Sequence, residues 1–307
     1  MKFLVIAALV SSLLSCNNPS ATVAGASDST ATAKNDSLDA LFSNYWEDRM
    51  KLYPVEATLS GDNRYNDRLT LLFTDSFRDT LRHFYTDYLN RIGGYQREQL
   101  GANDRISYDI FKREMQMQLE ELQFPGNEIP FNQFWAFPLD LGQLGSGEAS
   151  QPFKTVADYR NWSQRAACFG AWADSAIVYF RKGMASGVVL PRALVLKMIP
   201  QMKDLGAPDT AKNVFYGPLR KFPSGFSAAE KDSLSGQLTA VLKQQVLPAY
   251  GRLAAFLQTE YLPKARNTTG IKDIPGGADR YNYLIRYWTT TDKTAEEIYA
   301  TGLSEVK

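Results

Sequence analysis

Few side chains in this chain of 307 residues have the type and spacing that catalysis needs. Glu120 and Glu121 invite an acid/base reading, but adjacent residues on a helix point about 100° apart, so the pair reads as a solvated helix end and not as a catalytic dyad. His83 is the only histidine, whereas a His-Glu-x-x-His zinc site requires two. It reads as a partly exposed or core-edge residue. The run Gly142-Gln143-Leu144-Gly145-Ser146-Gly147 lacks the Lys-Ser/Thr ending of a phosphate-binding loop and the apolar strand that precedes a nucleophile elbow. It reads as a flexible loop able to line a cleft. Cys168, between Ala167 and Phe169 in a helical pattern, reads as a small buried core residue and not a nucleophile. No catalytic group and no metal ligand is therefore assigned within the chain.

The remaining cysteine has a different setting. Lys2, the apolar run Phe3 to Val10 and Leu13-Leu14 have the layout of an export signal too short to span a membrane, and Ser15-Cys16 follows at once. A small residue before cysteine in that place looks like a bacterial lipobox, which implies cleavage before Cys16 and a lipid anchor on it. Residues 1–15 are then a signal peptide, and 16–35, rich in Ser, Thr, Ala and Asn with no aromatic residue, a disordered tether. The expected location is the cell envelope, at the periplasmic or outer face of a membrane. With Cys16 lipidated, Cys168 has no intrachain disulfide partner. The balance of 34 basic against 33 acidic residues supplies no field for nucleic acid.

Elements able to position a site are helical from residue 36 to the end, a length sufficient for one large domain. Leu38, Leu41, Phe42, Tyr45 and Trp46 keep the 3.6-residue period up to Pro54. Tyr53–Leu69 is polar and turn-rich and reads as a loop, in which Asp62, Arg64 and Asp67 could face a cleft. Phe77, Leu81, Phe84, Tyr88 and Ile92 mark a second helix ended by Gly93-Gly94, and Ile106, Ile110, Met115, Leu119 and Leu122 a third. Phe124–Pro152, with Phe131, Phe134, Trp135 and Phe137, reads as a long loop of the sort that carries function. Thr155 caps one long helix closed by Gly187; Ser227 and Thr294 each open a capping box with Glu230 and Glu297. Pro248 is expected to end one helix before another runs from Ala249 to Tyr261. No alternating strand pattern and no 20- to 50-residue repeat appears. The fold class is all-α, a multi-helix single domain.

Several blocks carry a resemblance: Tyr53–Leu69, Phe153–Tyr159 (FKTVADY), the Gly183–Arg192 corner, Pro248–Pro263, and the ending with its Pro275-Gly276-Gly277 turn, tyrosine-rich helix, Thr289-Thr290-Thr291 and EEIYATGLSEV. In this order they resemble the domain of unknown function 885 family, over about Leu41 to Val306. The resemblance implies a mostly helical fold similar to gluzincin-type zinc metallopeptidases, of which this is the amino-terminal half. The chain then ends before the family's His-Glu-x-x-His motif, zinc belongs only to the complete fold, and the other half is missing or separately encoded. A peptide substrate is implied for the whole. The competing expectation is a non-enzymatic helical lipoprotein that binds peptides or glycans at the cell surface. Trp135, Ser146 and Tyr283 are candidates to line a cleft, and in the non-enzymatic reading Phe131–Phe137 with Tyr281, Tyr283 and Tyr287 form the contact surface.

Overall fold

The computed structural model describes residues 36–306. The expected signal peptide (1–15), and Cys16 with the expected tether (16–35), lie outside the described residues. Those described form thirteen α-helices with no strand, so the all-α expectation holds.

Two apolar cores organise the helices. The first gathers α1 (Asp36–Leu52), α3 (Asp75–Gly93) and α4 (Ala102–Glu121), with the short α2 (Pro54–Leu59) following α1. Tyr85, Tyr88, Ile92 and Met115 are almost fully buried there, and the Tyr45 ring lies 4.9–5.3 Å from those of Phe84, Tyr88 and Phe111. The second and larger core is enclosed by α5 (Phe137–Leu144), α6 (Val156–Ala167), α7 (Phe169–Ser186), α8 (Arg192–Leu205), the four-residue α9 (Gly217–Arg220), α10 (Ala228–Val241) and α11 (Leu247–Phe256). α11 packs on α7 and α8, and α10 on α6, around Trp162, Phe169, Phe180, Met198, Phe215 and Tyr250. α12 (Gly277–Thr289) returns to pack on α4, and α13 (Ala295–Glu305) carries no buried residue.

The structure departs from the sequence reading at informative places. Tyr53–Leu69 is not all loop: Pro54 begins α2 at a position where its missing N–H has no helical acceptor to lose. The Phe124–Pro152 stretch likewise contains α5, begun by Phe137-Pro138. Gly142 and Leu144 belong to that helix, and Gly145 caps it against Trp162 and Phe215, where an added Cβ would lie 2.5 and 2.6 Å from their rings. These glycines permit close packing, so the run is not a flexible loop. The predicted single helix closed by Gly187 is two helices, broken at Cys168. Ala166 and Phe169 both take fully buried positions, which leaves the intervening Cys168 facing outward, exposed, and corrects its assignment to the core. On α4, Tyr108, Met115 and Met117 face inward, while Ile106 and Ile110 are 59% and 65% exposed.

Pro248 does not end its helix either. α10 runs into a π turn at Leu242–Val246, continues as α11 and enters a second π turn at Leu257–Tyr261. Each π turn closes two residues before a proline, Pro248 and Pro263. A proline ring collides with the carbonyl four residues back in an α-helix, and widening the preceding turn removes that collision. Buried Leu234, Leu238, Leu242 and Val246 recur every four residues. On a pure α-helix that spacing drifts about 40° per step, and the wider turns absorb the drift.

Three capping boxes start α6, α10 and α13: Thr155 with Asp158, Ser227 with Glu230 and Thr294 with Glu297. α12 ends in the threonine triplet, where Thr290 adopts φ 55°, the one positive-φ residue other than glycine among those described. A β-branched side chain is disfavoured there; the conformation is held by Thr290 N–H donating to Arg286 O at 3.1 Å and by the Thr289 hydroxyl donating to Ile285 O at 2.7 Å.

Candidate functional site

One buried cation fixes the walls of the site described below. Arg165 on α6 is fully buried, yet no carboxylate bonds its guanidinium. Its donors go to neutral oxygens: Nε to Arg68 O at 2.9 Å, Nη1 to Gln151 Oε1 at 2.8 Å, and Nη2 to Pro54 O and Tyr65 O at 3.1 and 2.7 Å. Burial pushes its pKa down to about 10, which still leaves it protonated at neutral pH. Arginine suits this place because its planar fork reaches separated acceptors that a single ammonium cannot. Thr58 reinforces the wall by donating to Asn66 Oδ1 at 2.6 Å.

The clamped segments, Tyr53–Leu59 and Leu69–Phe73, form one side of a cavity of about 380 Å³; Pro130, Phe137 and Asp140 of the α5 region and Trp172 of α7 form the other. Such a volume falls within the usual range for a small-ligand pocket. Trp172 is 3% exposed, with the rings of Phe73 and Phe137 centred 5.3 and 5.0 Å from it, so the aromatic floor belongs to the larger core and is rigid. Leu59 and Leu72 are exposed and form the rim. Two of the lining residues carry charge. Glu56 is held by Arg49 through two bonds of 2.8 Å, whereas Asp140 has neither ion pair nor side-chain hydrogen bond among the described residues, and partial burial raises its pKa.

A separate polar cluster joins α4 to α12. Glu121 receives Arg280 at 3.0 Å and Glu120 receives Arg286, while the Tyr283 hydroxyl donates to Met117 O at 3.0 Å. Arg78 donates to Leu122 O and Phe124 O at the end of α4. Glu120 and Glu121 are thus not a solvated helix end; they are half-buried anchors for α12, and burial raises the Glu121 pKa despite the neighbouring arginines.

The family described as "Bacterial protein of unknown function (DUF885)" matches residues 54–307. The chain belongs to the DUF885 family. No curated protein matches this DUF885 chain. Among solved structures it is similar to "the putative lipoprotein from Colwellia psychrerythraea", with a TM-score of 0.75 and 19% identity over 88% of this chain and 49% of that one. At that identity the likeness is one of fold, and the DUF885 chain spans about half the length of its structural neighbour.

The structure of this DUF885 member disperses the three residues expected to line a cleft. Trp135 is 74% exposed and stacks edge-on against the equally exposed Phe134 at 5.2 Å. Ser146 lines a different cavity, beside Phe153, Pro218 and Phe222. Tyr283 is buried in the α4–α12 junction. Asp62 and Arg64 pair with each other on the surface at 2.7 Å, and Arg64 also reaches Glu47. Trp172 and Asp140 were not singled out in the sequence. The available signal was Leu139-Asp140-Leu141, a carboxylate interrupting an apolar run at the start of a helix. The resemblance places zinc only in the complete fold; His83 is exposed on α3, and among the described residues no group of three or more His, Cys, Asp or Glu is placed to hold a metal ion.

Proposed function

We propose that this DUF885 chain is the ligand-binding half of a longer, exported protein held in the cell envelope by lipid on Cys16, and that its pocket receives an apolar side chain of a peptide. The observation that carries the binding reading is the preformed aromatic pocket between α2, α5 and α7, whose one wall is fixed by a buried arginine. A span of about half the neighbour's length supports the reading as part of a longer protein, and the resemblance to zinc metallopeptidases supports a peptide as the ligand. Hydrolytic groups then belong to residues outside these 307. The Leu13-Leu14-Ser15-Cys16 pattern and the neighbour's description as a lipoprotein support the anchor. Among the described residues no helix is long and apolar enough to cross a membrane.

Two outcomes are expected. N-acetylphenylalanine amide, titrated by calorimetry into the protein, binds at a single site, and Leu72→Trp at the rim weakens it at least tenfold with the circular dichroism unchanged. Equal binding to both proteins, or none to either, removes the pocket from the reading. Separately, Cys16→Ser moves the protein expressed in a bacterial host from the membrane fraction to the released fraction and abolishes incorporation of an alkyne-tagged fatty acid. Retention of the label in the Cys16→Ser protein rejects the anchor.

A further inference from the structure

The charge in the pocket selects among apolar ligands. Among the described residues no lysine or arginine lines the cavity, and of its two carboxylates Glu56 is already neutralised by the paired bonds from Arg49. Asp140 is exposed, with no cation among the described residues paired to it, at the edge of a cavity floored by Trp172, Phe73 and Phe137. A lone carboxylate is a poor ligand for a divalent metal ion, which needs several oxygens at once. An organic cation needs only one, provided the rest of the molecule can occupy the apolar space. A negative group of the ligand would meet Asp140 with no compensating donor and would be rejected.

We propose that the pocket is a site for an amphipathic cation: an apolar, preferably aromatic, body packed over Trp172 with a protonated amine or guanidinium set against Asp140. This rests on the binding reading above and adds a charge requirement to it. In peptide terms the class includes an apolar residue bearing a free amino terminus, or a basic side chain whose methylenes lie in the pocket. The aromatic walls add to the preference, since ring faces attract a cation held near them.

The test uses 2-phenylethylamine and its neutral analogue 2-phenylethanol, titrated into the protein and into Asp140→Asn. Because Asp140 is exposed and bonds to nothing through its side chain, the substitution leaves the fold intact, and thermal unfolding checks this. The amine is expected to bind about tenfold more tightly than the alcohol, corresponding to about 1.4 kcal/mol. Asp140→Asn should remove that difference while leaving the alcohol's affinity unchanged, and 1 M salt should shrink it in the unsubstituted protein. If both probes bind equally, or if the amine keeps its advantage in Asp140→Asn, the charge requirement is wrong while the pocket stands. If neither probe binds and N-acetylphenylalanine amide also fails, the pocket reading itself falls.

Discussion

Arg165→Met is expected to destabilise the domain by about 4 kcal/mol and to abolish binding in the pocket. Methionine fills most of the space, so the change isolates the polar contribution. Four acceptors lose a bond at once; Pro54 O keeps the Thr58 hydroxyl and Tyr65 O keeps Arg68 N–H, which leaves Arg68 O and the Gln151 side-chain oxygen unpaired. Each buried acceptor left unpaired costs about 1–3 kcal/mol. Relief of the desolvated charge opposes this loss. The folded pKa of about 10 lies below the ordinary arginine value, so the unfolded chain holds this proton more tightly. The resulting penalty is fully present below about pH 10 and is relieved as pH rises above it. The acceptors outnumber that single penalty, so net loss is the expected sign. Arg165→Lys should recover little, because one ammonium cannot serve acceptors on three separate segments. Urea unfolding reads the stability; a loss below about 1 kcal/mol would show that the carbonyls find water or other donors, and that the pocket wall stands without its clamp.

The second large effect is expected at the start of α12. In Gly277→Ala the new Cβ would lie 1.8 Å from Ile271 O and 3.0 Å from the Ile274 side chain, and the nearer atom is backbone, which cannot swing aside. Neighbouring Gly276 provides the control. It has φ 68° with nothing within 4 Å of an added Cβ, so Gly276→Ala meets only the left-handed conformation, at about 1–2 kcal/mol. Gly277→Ala should cost at least 3 kcal/mol, by displacing α12 from α4 and separating Arg280 from Glu121 and Tyr283 from Met117. The larger core does not depend on α12, so the loss should be local. Hydrogen exchange should accelerate in Gly277–Thr289 while α7 and α11 remain protected. If the two alanine variants behave alike, the close approach at Ile271 is not what seats the helix.

What the sequence revealed was mainly periodic. The stripes of α1, α3 and α7, the caps at Thr155, Ser227 and Thr294 and the left-handed glycine at 187 all follow from spacing or from one residue's backbone preference. Interruptions of a period were harder to read. A kink at Cys168 leaves the apolar pattern on both sides intact, and prolines at 138 and 248 mark breaks only where the chain cannot tolerate them inside or at the start of a helix. The site was least legible because its contacts are remote in sequence: Pro54 meets Arg165 across 111 positions, and Trp172 meets Phe73 across 99. The resemblance placed zinc outside these residues and gave no pointer to the pocket, where Asp140 stands beside the aromatic floor of Trp172, Phe73 and Phe137.

The two π turns before Pro248 and Pro263 also limit how this chain can change in length. Each holds one residue more than an α turn would, and that extra residue is what relieves the proline that follows. Deleting one position within Leu242–Val246 would restore regular α geometry there and bring Pro248 into collision with the carbonyl four residues back. The stretch from Ala228 to Lys264 therefore tolerates substitution of its exposed side chains but not loss of a single residue, and among relatives that keep this packing its length should vary less than its composition.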